Sequence, residues 1–349
     1  MSRYIFRPPE KTSPVSIIQE ESTLKANTWK RAAALVLTAA VCLGGSAQAL
    51  FGKKQPAAEA GAPKSVDVEV QTYRGIPVQG SFAASSAEEG ELTFAVEKTP
   101  RKGSVTVEGA DFTYTPDDGA TGVDSFTYTA SDAAGRTSLP ATVTVRIEKT
   151  RSGVTYADMG GSAAAAAAQR LAEEGIFTGT KLGGQYYFQP DAQVTRSEFL
   201  ALAMETAGRS VTPVTVTGFC DDEAIPTWAK AYAAAGVADG IVCGKATADG
   251  AAFQGDDPIT FNEAATVLDR LLDLGDVEVD VWYVDRDAAP TWASQAVGNM
   301  EALNVLQAGS FGSDAMAHSL TRADAAQMLS AAKTLLDGEK SPGMFQWLQ

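Results

Sequence analysis

The sequence predicts a chain in two parts, an all-β sandwich followed by an all-α unit of three helix–loop–helix repeats. Two observations carry this. From Val66 to Ile147 apolar residues alternate with polar ones in short runs. In the second half one box recurs three times, as Val194-Thr195-Arg196-Ser197-Glu198-Phe199, Ile259-Thr260-Phe261-Asn262-Glu263-Ala264 and Leu320-Thr321-Arg322-Ala323-Asp324-Ala325. The threonines are 65 and 61 residues apart, a spacing that marks a repeated structural unit.

The elements follow in order. Residues 1–49 read as a secretory leader. Lys25, Lys30 and Arg31 precede an apolar run from Ala32 to Leu43, and Ala47-Gln48-Ala49 fits a small-residue cleavage site. The run is short for a membrane span, so no stable span is expected after cleavage, with an uncleaved anchor as the alternative. Ala39-Ala40-Val41 before Cys42 makes a poor lipoprotein signal. Residues 50–64, rich in Ala, Pro and Lys, read as a linker. Val66, Val68 and Val70 then open the alternation. Leu92, Phe94 and Val96 continue it, followed by Val105 and Val107, Phe112 and Tyr114, Phe126 and Tyr128, and Val143, Val145 and Ile147. Six or seven short strands at 65–149 argue a sandwich.

Each box reads as a helix start. The threonine hydroxyl accepts from a first-turn N–H, and the acid three residues on reaches back to the threonine N–H. Apolar residues at helical spacing follow, such as Val267, Leu268, Leu271 and Leu272. Arg196 and Arg322 take the first helical position, where free N–H groups and the helix dipole favour an anion. A guanidinium there offers a planar fork for carboxylate or phosphate; the competing reading is a surface or salt-bridged arginine. The middle box has Phe261 at that place.

Upstream of the boxes lie Tyr156-Ala157-Asp158, Phe219-Cys220-Asp221 and Tyr283-Val284-Asp285. Pro226-Thr227-Trp228-Ala229 and Pro290-Thr291-Trp292-Ala293 follow the last two. Gly175-Ile176-Phe177-Thr178-Gly179 and Gly240-Ile241-Val242-Cys243-Gly244 complete the first two units. An alanine-rich helix is expected from Ala163 to Ala172. An apolar face is expected on Trp292, Ala296, Val297, Met300 and Leu303. The glycines read as helix C-caps.

On these residues, 154–208, 217–274 and 281–337 resemble three tandem S-layer homology (SLH) repeats, whose pattern runs F-x-D, W-A, G-I-x-x-G, F-x-P, I-T-R-A-E. The resemblance implies a compact pseudo-three-fold unit. Its grooves would hold an anionic secondary cell wall polysaccharide, often pyruvylated. It implies a polymer site of Arg196, Arg322, Trp228, Trp292, Thr195 and Thr321, although each Trp reads equally as a core anchor. The first unit has Ala163 where the Trp stands, the second lacks the arginine, and the third lacks the G-I-x-x-G loop, so at most two grooves are expected to bind. The stretch Gly109 to Pro116 with Gly122 to Tyr128 and Ser131-Asp132 resembles bacterial Ig-like and cadherin-like modules, which implies a spacer or display unit.

Together these imply an exported protein anchored at the cell surface or cell wall, the S-layer included. A second reading makes it an adhesin or assembly subunit whose Ig-like domain binds another surface protein. No cofactor is expected. Asp124 and Asp132 read as turn caps or, alternatively, as calcium ligands. Net charge is −15. With the leader removed, 22 basic side chains face 40 acidic ones, which argues against nucleic acid. His318 is the only histidine, so Ser-His and zinc-histidine chemistry lack support. Asp221-Asp222-Glu223 reads as caps rather than catalytic carboxylates. Whether Cys220 and Cys243 are bridged stays open, as does cleavage after Ala49.

Overall fold

The computed structural model describes residues 60–86, 90–283 and 286–339. The expected leader, most of the linker and the tail from 340 lie outside the described residues.

The N-terminal part is a β-rich Ig-like domain. Among its described residues it has nine strands: β1 (Lys64–Val66), β2 (Val68–Tyr73), β3 (Val78–Ser81), β4 (Ala83–Ser85), β5 (Thr93–Lys98), β6 (Gly103–Glu108), β7 (Asp111–Pro116), β8 (Gly122–Ser131) and β9 (Ala141–Glu148). One sheet has the order β2-β9-β8-β5, with β2 parallel to β9, and the other β3-β7-β6; β1 and β4 pair separately. The sequence predicts six or seven strands. β3 and β4 go unread because Gly80, Ser81 and Ala83-Ala84-Ser85 show no apolar alternation. The inward positions that do alternate, including Phe112, Tyr114, Phe126, Tyr128, Val143, Val145 and Ile147, are buried as one cluster.

Asp124 closes this domain at the β5–β6 turn. It is buried, and its carboxylate accepts from the amides of Arg101, Lys102 and Ser125 and from the Tyr114 hydroxyl. Burial raises its pKa, but those four donors outweigh burial and hold it below the usual carboxylate value. Asp132 accepts from the amides of Ala134 and Arg136 and pairs with the Arg136 guanidinium. Both carboxylates therefore serve turns, the first of the two readings above.

The C-terminal part is helical: α1 (Ala165–Glu173), α2 (Arg196–Thr206), α3 (Thr227–Ala238), α4 (Phe261–Leu272), α5 (Val279–Trp282), α6 (Ser294–Ala302) and α7 (Arg322–Glu339). Between α1 and α2 stands the hairpin β10 (Thr180–Leu182) with β11 (Gln185–Tyr187). Between α3 and α4 stands β12 (Lys245–Thr247) with β13 (Gly250–Ala252). Between α6 and α7 a 3-10 turn, Asp314–Ala317, takes that place. The sequence reads these segments only as glycine-containing loops.

The second glycine of each G-I-x-x-G run explains the hairpins. Gly175 and Gly240 follow their helices at positive φ, as C-caps do. Gly179 (φ +69°) and Gly244 (φ +70°) instead let the chain turn into β10 and β12, where a Cβ would meet the carbonyl oxygens of Tyr187 and Ala252 at 2.4 and 2.9 Å. Asn304 (φ +56°) replaces the C-cap glycine after α6, and no hairpin follows.

All three boxes form. Glu198 N, Glu263 N and Asp324 N donate to the hydroxyls of Thr195, Thr260 and Thr321, and each acid accepts from its threonine's N–H. The shorter Asp324 still reaches. Backbone bonds tie the boxes in a closed ring. Val194 N donates to Leu320 O (3.1 Å), Leu320 N to Ile259 O (2.8 Å) and Ile259 N to Val194 O (3.0 Å). A second ring lies one step along the chain: Arg196 N to Asp257 O, Phe261 N to His318 O and Arg322 N to Ala192 O. Above the rings α2, α4 and α7 pack together, and α3, α6 and α1 pack on α2, α4 and α7 respectively. The buried Phe199, Leu200, Leu268 and Leu329 share this core.

Two sequence expectations need correction. The alanine-rich helix runs from Ala165 to Glu173, because Gly161 and Ser162 hold a turn before it. Trp292 does not belong to the apolar face of α6. It precedes that helix and is 58% exposed, while Ala296, Val297 and Met300 are buried. No described helix is long and apolar enough to cross a membrane.

Candidate functional site

A groove of about 260 Å³ opens between α2 and α7. Its floor is apolar, with Phe188, Val194, Leu202 and Leu329. Arg322, Glu198 and Trp228 also line it. α7 delivers Arg322 because Thr321 caps that helix and leaves the arginine at its first position. Trp228 comes from the start of α3, just after Pro226, and is 52% exposed.

The Arg322 guanidinium donates from Nη1 to Gln189 Oε1 at 2.8 Å and to Phe188 O at 3.3 Å, and lies 5.4 Å from the Phe177 ring centroid. Its Nη2 is 3.9 Å from Glu198 Oε1, too long for a hydrogen bond. Gln189 is placed by Asp158, whose carboxylate accepts from Phe188 N and Gln189 N at 2.8 and 2.7 Å. That grip holds Gln189 at φ +60°, a conformation that non-glycine residues rarely adopt.

The same elements recur at the next boundary with a different outcome. Asp221 accepts from Phe253 N and Gln254 N, both at 2.8 Å, and Gln254 sits at φ +55°. Arg196, however, donates from Nε to Phe253 O at 3.1 Å and from Nη1 faces Glu263 Oε1 at 3.0 Å. Lys245 Nζ approaches the same oxygen at 3.3 Å. Burial raises the pKa of Glu263, but the Thr260 amide, Arg196 and Lys245 outweigh it and hold the carboxyl low.

Of the six sequence-predicted residues, the groove thus brings together Arg322 and Trp228. Arg196 and Trp292 do not line it. Trp292 is exposed, so neither tryptophan is a core anchor. The hydroxyls of Thr195 and Thr321 are engaged in their caps, and that of Thr321 also donates to Asp324. Sequence reasoning missed Gln189, Glu198 as a groove wall, and Phe177. The repeated Phe-Gln pair at 188–189 and 253–254 is the signal that points to the first. Asp221 and Asp222 serve the fold, since Asp222 accepts from Thr217 and from Lys230. Cys220 and Cys243 are free and exposed. Among the described residues no cluster of His, Cys, Asp and Glu could hold a metal.

Comparison with known proteins finds one family match in each part. Residues 59–149 match the bacterial cadherin-like domain, and residues 155–200 match the S-layer homology domain. These are non-catalytic binding or structural modules. No curated protein sequence matches the chain at a significant level. Solved structures with partial likeness include an endo-fucoidan hydrolase of glycoside hydrolase family 107, at 17% identity over 27% of this chain and 14% of that one, with TM-score 0.23. The fibronectin(III)-like modules of Clostridium thermocellum CbhA match at 16% identity over 26% and 99%, TM-score 0.16. The titin M3 domain matches at 16% over 25% and 97%, TM-score 0.17. This chain therefore spans about a seventh of the hydrolase.

Proposed function

We propose that this chain, which carries a bacterial cadherin-like domain followed by an S-layer homology domain, is exported by its leader and held non-covalently to the bacterial cell wall. An S-layer homology domain marks a protein anchored at the cell surface or wall, and such domains bind wall polysaccharide. The finer reading is that 154–208, 217–274 and 281–337 are three repeats in a pseudo-three-fold unit. They bind an anionic, pyruvylated secondary wall polymer, while the sandwich at 65–149 spaces or displays. The two closed rings of backbone hydrogen bonds support the three-fold reading.

The observation that carries the binding reading is the groove itself. A guanidinium at a helix N-terminus, an exposed indole and an apolar floor meet there. That combination suits a sugar bearing a carboxylate: the ring stacks on the tryptophan while the acid meets the arginine. Under the three-fold relation, Arg322, Glu198 and Trp228 correspond to Arg196, Glu263 and Trp292 at the next boundary. At the third they correspond to Phe261, Asp324 and Ala163. The boundary with Phe261 thus lacks both the arginine and the tryptophan.

Sedimentation of the full chain with purified cell walls tests this. Binding is expected, and Arg196→Ala combined with Arg322→Ala should abolish it. Walls stripped of their secondary polymer should fail to retain the wild type. Unchanged sedimentation of the double variant would sink the proposal.

A further inference from the structure

We infer that the two boundary arginines do different work: Arg322 faces the ligand, with Gln189 as its positioning residue, whereas Arg196 is a latch between the first and second repeats. This rests on the polymer-binding reading above and assigns its parts.

The two guanidinium groups are held in different states. The Arg196 side chain is 11% exposed, and its partner Glu263 is 16% exposed. The two are in contact, and a backbone carbonyl takes the Nε proton. Nε and Nη1 are both engaged, so a ligand carboxylate can grip the Arg196 fork through Nη1 and Nη2 only by displacing Glu263. That would leave a mostly buried carboxylate with only Lys245 and its cap, a costly exchange. The latch also spans a boundary, since Arg196 belongs to the first repeat and both partners, Glu263 and Phe253, to the second.

Arg322 is held differently. Its Nη1 rests on two neutral oxygens, of Gln189 and Phe188, which orient the fork without cancelling its charge. Nε and Nη2 make no hydrogen bond among the described residues. Glu198 stands back at 3.9 Å and is 36% exposed. An incoming carboxylate can therefore use Nε and Nη2 together without breaking a contact. Asp158 fixes the Gln189 backbone, so the orienting amide is itself held. The chain Asp158, Gln189, Arg322 runs from the first repeat to the third and ends in the groove that Trp228 lines.

The test is wall sedimentation of full-length single variants, each with a thermal melt. The probe is purified cell walls that retain their secondary polymer. Arg322→Ala should weaken binding about 10- to 100-fold, the range for a lost charge-assisted pair, with little change in melting temperature. Arg196→Ala should lower the melting temperature while the folded protein binds within about 2-fold of wild type. Gln189→Ala should weaken binding about 3- to 10-fold at unchanged melting temperature. Gln189→Glu keeps the acceptor but pairs the charge, so it should weaken binding and flatten its salt dependence. Equal losses for the two arginine variants, at a temperature where both are folded, would overturn the division and leave the polymer reading standing. Unimpaired binding by Gln189→Ala and Gln189→Glu would overturn the positioning role. A wild type that fails to bind would overturn the polymer reading and this inference with it.

Discussion

At the scale of single residues, carboxylates decide most of the local geometry. Asp124 shows how strongly. Four donors converge on it from the β5–β6 turn, β7 and β8. Asp124→Asn cannot satisfy all four donors, and should cost about 2 kcal/mol in urea unfolding of the sandwich. Its folded pKa is lowered, so its contribution to stability is fully present above the unfolded carboxylate value. It is lost as pH falls through the lower, folded value. Glu263 has the same sign, so acid should weaken both parts; unfolding curves recorded below about pH 5 check this. The boxes were legible residue by residue, because a capping box is a local motif. The roles of Gln189 and Glu198 were not. Gln189 and Arg322 are 133 positions apart, and no local pattern declares such a contact.

Among elements, caps and hairpins set where each helix begins and what stands beside it. Thr260 lies at the boundary whose arginine position is Phe261, and its hydroxyl accepts from Glu263 N. Thr260→Ala should cost about 1 kcal/mol, read as a lower melting temperature. Gly244→Ala should cost more, about 1–3 kcal/mol, because φ is positive and the added methyl meets the Ala252 carbonyl. A melt of the two variants side by side checks the order. Period-two alternation located the strands whose inward residues are large, β5 to β9. It failed for β3 and β4, and for the two-residue-turn hairpins, whose strands are three residues each and mostly exposed. Trp292 misled the helix reading because its spacing from Ala296 fits a face that the chain does not adopt at that point.

For the whole molecule, the two aspartates of the sandwich that could read as calcium ligands are occupied by turn hydrogen bonds. Millimolar calcium or a chelator should therefore shift the melting temperature of the full chain by less than about 1 °C. A rise of several degrees would mean that another set of oxygens binds the ion. Domain order and helical character were visible in composition and period. The ring was not, because it is made of backbone groups that carry no sequence signature. That ring has a mechanical consequence. In an open stack of repeats, tension unzips one end unit after another. Here α1, the first helix after the sandwich, packs on α7, and Arg170 of α1 bonds to Ser330, Thr334 and Asp337. A load entering from the sandwich through α1 therefore meets the bonds to α7 as well as the ring, so it pulls on the first and last described helices at the same time.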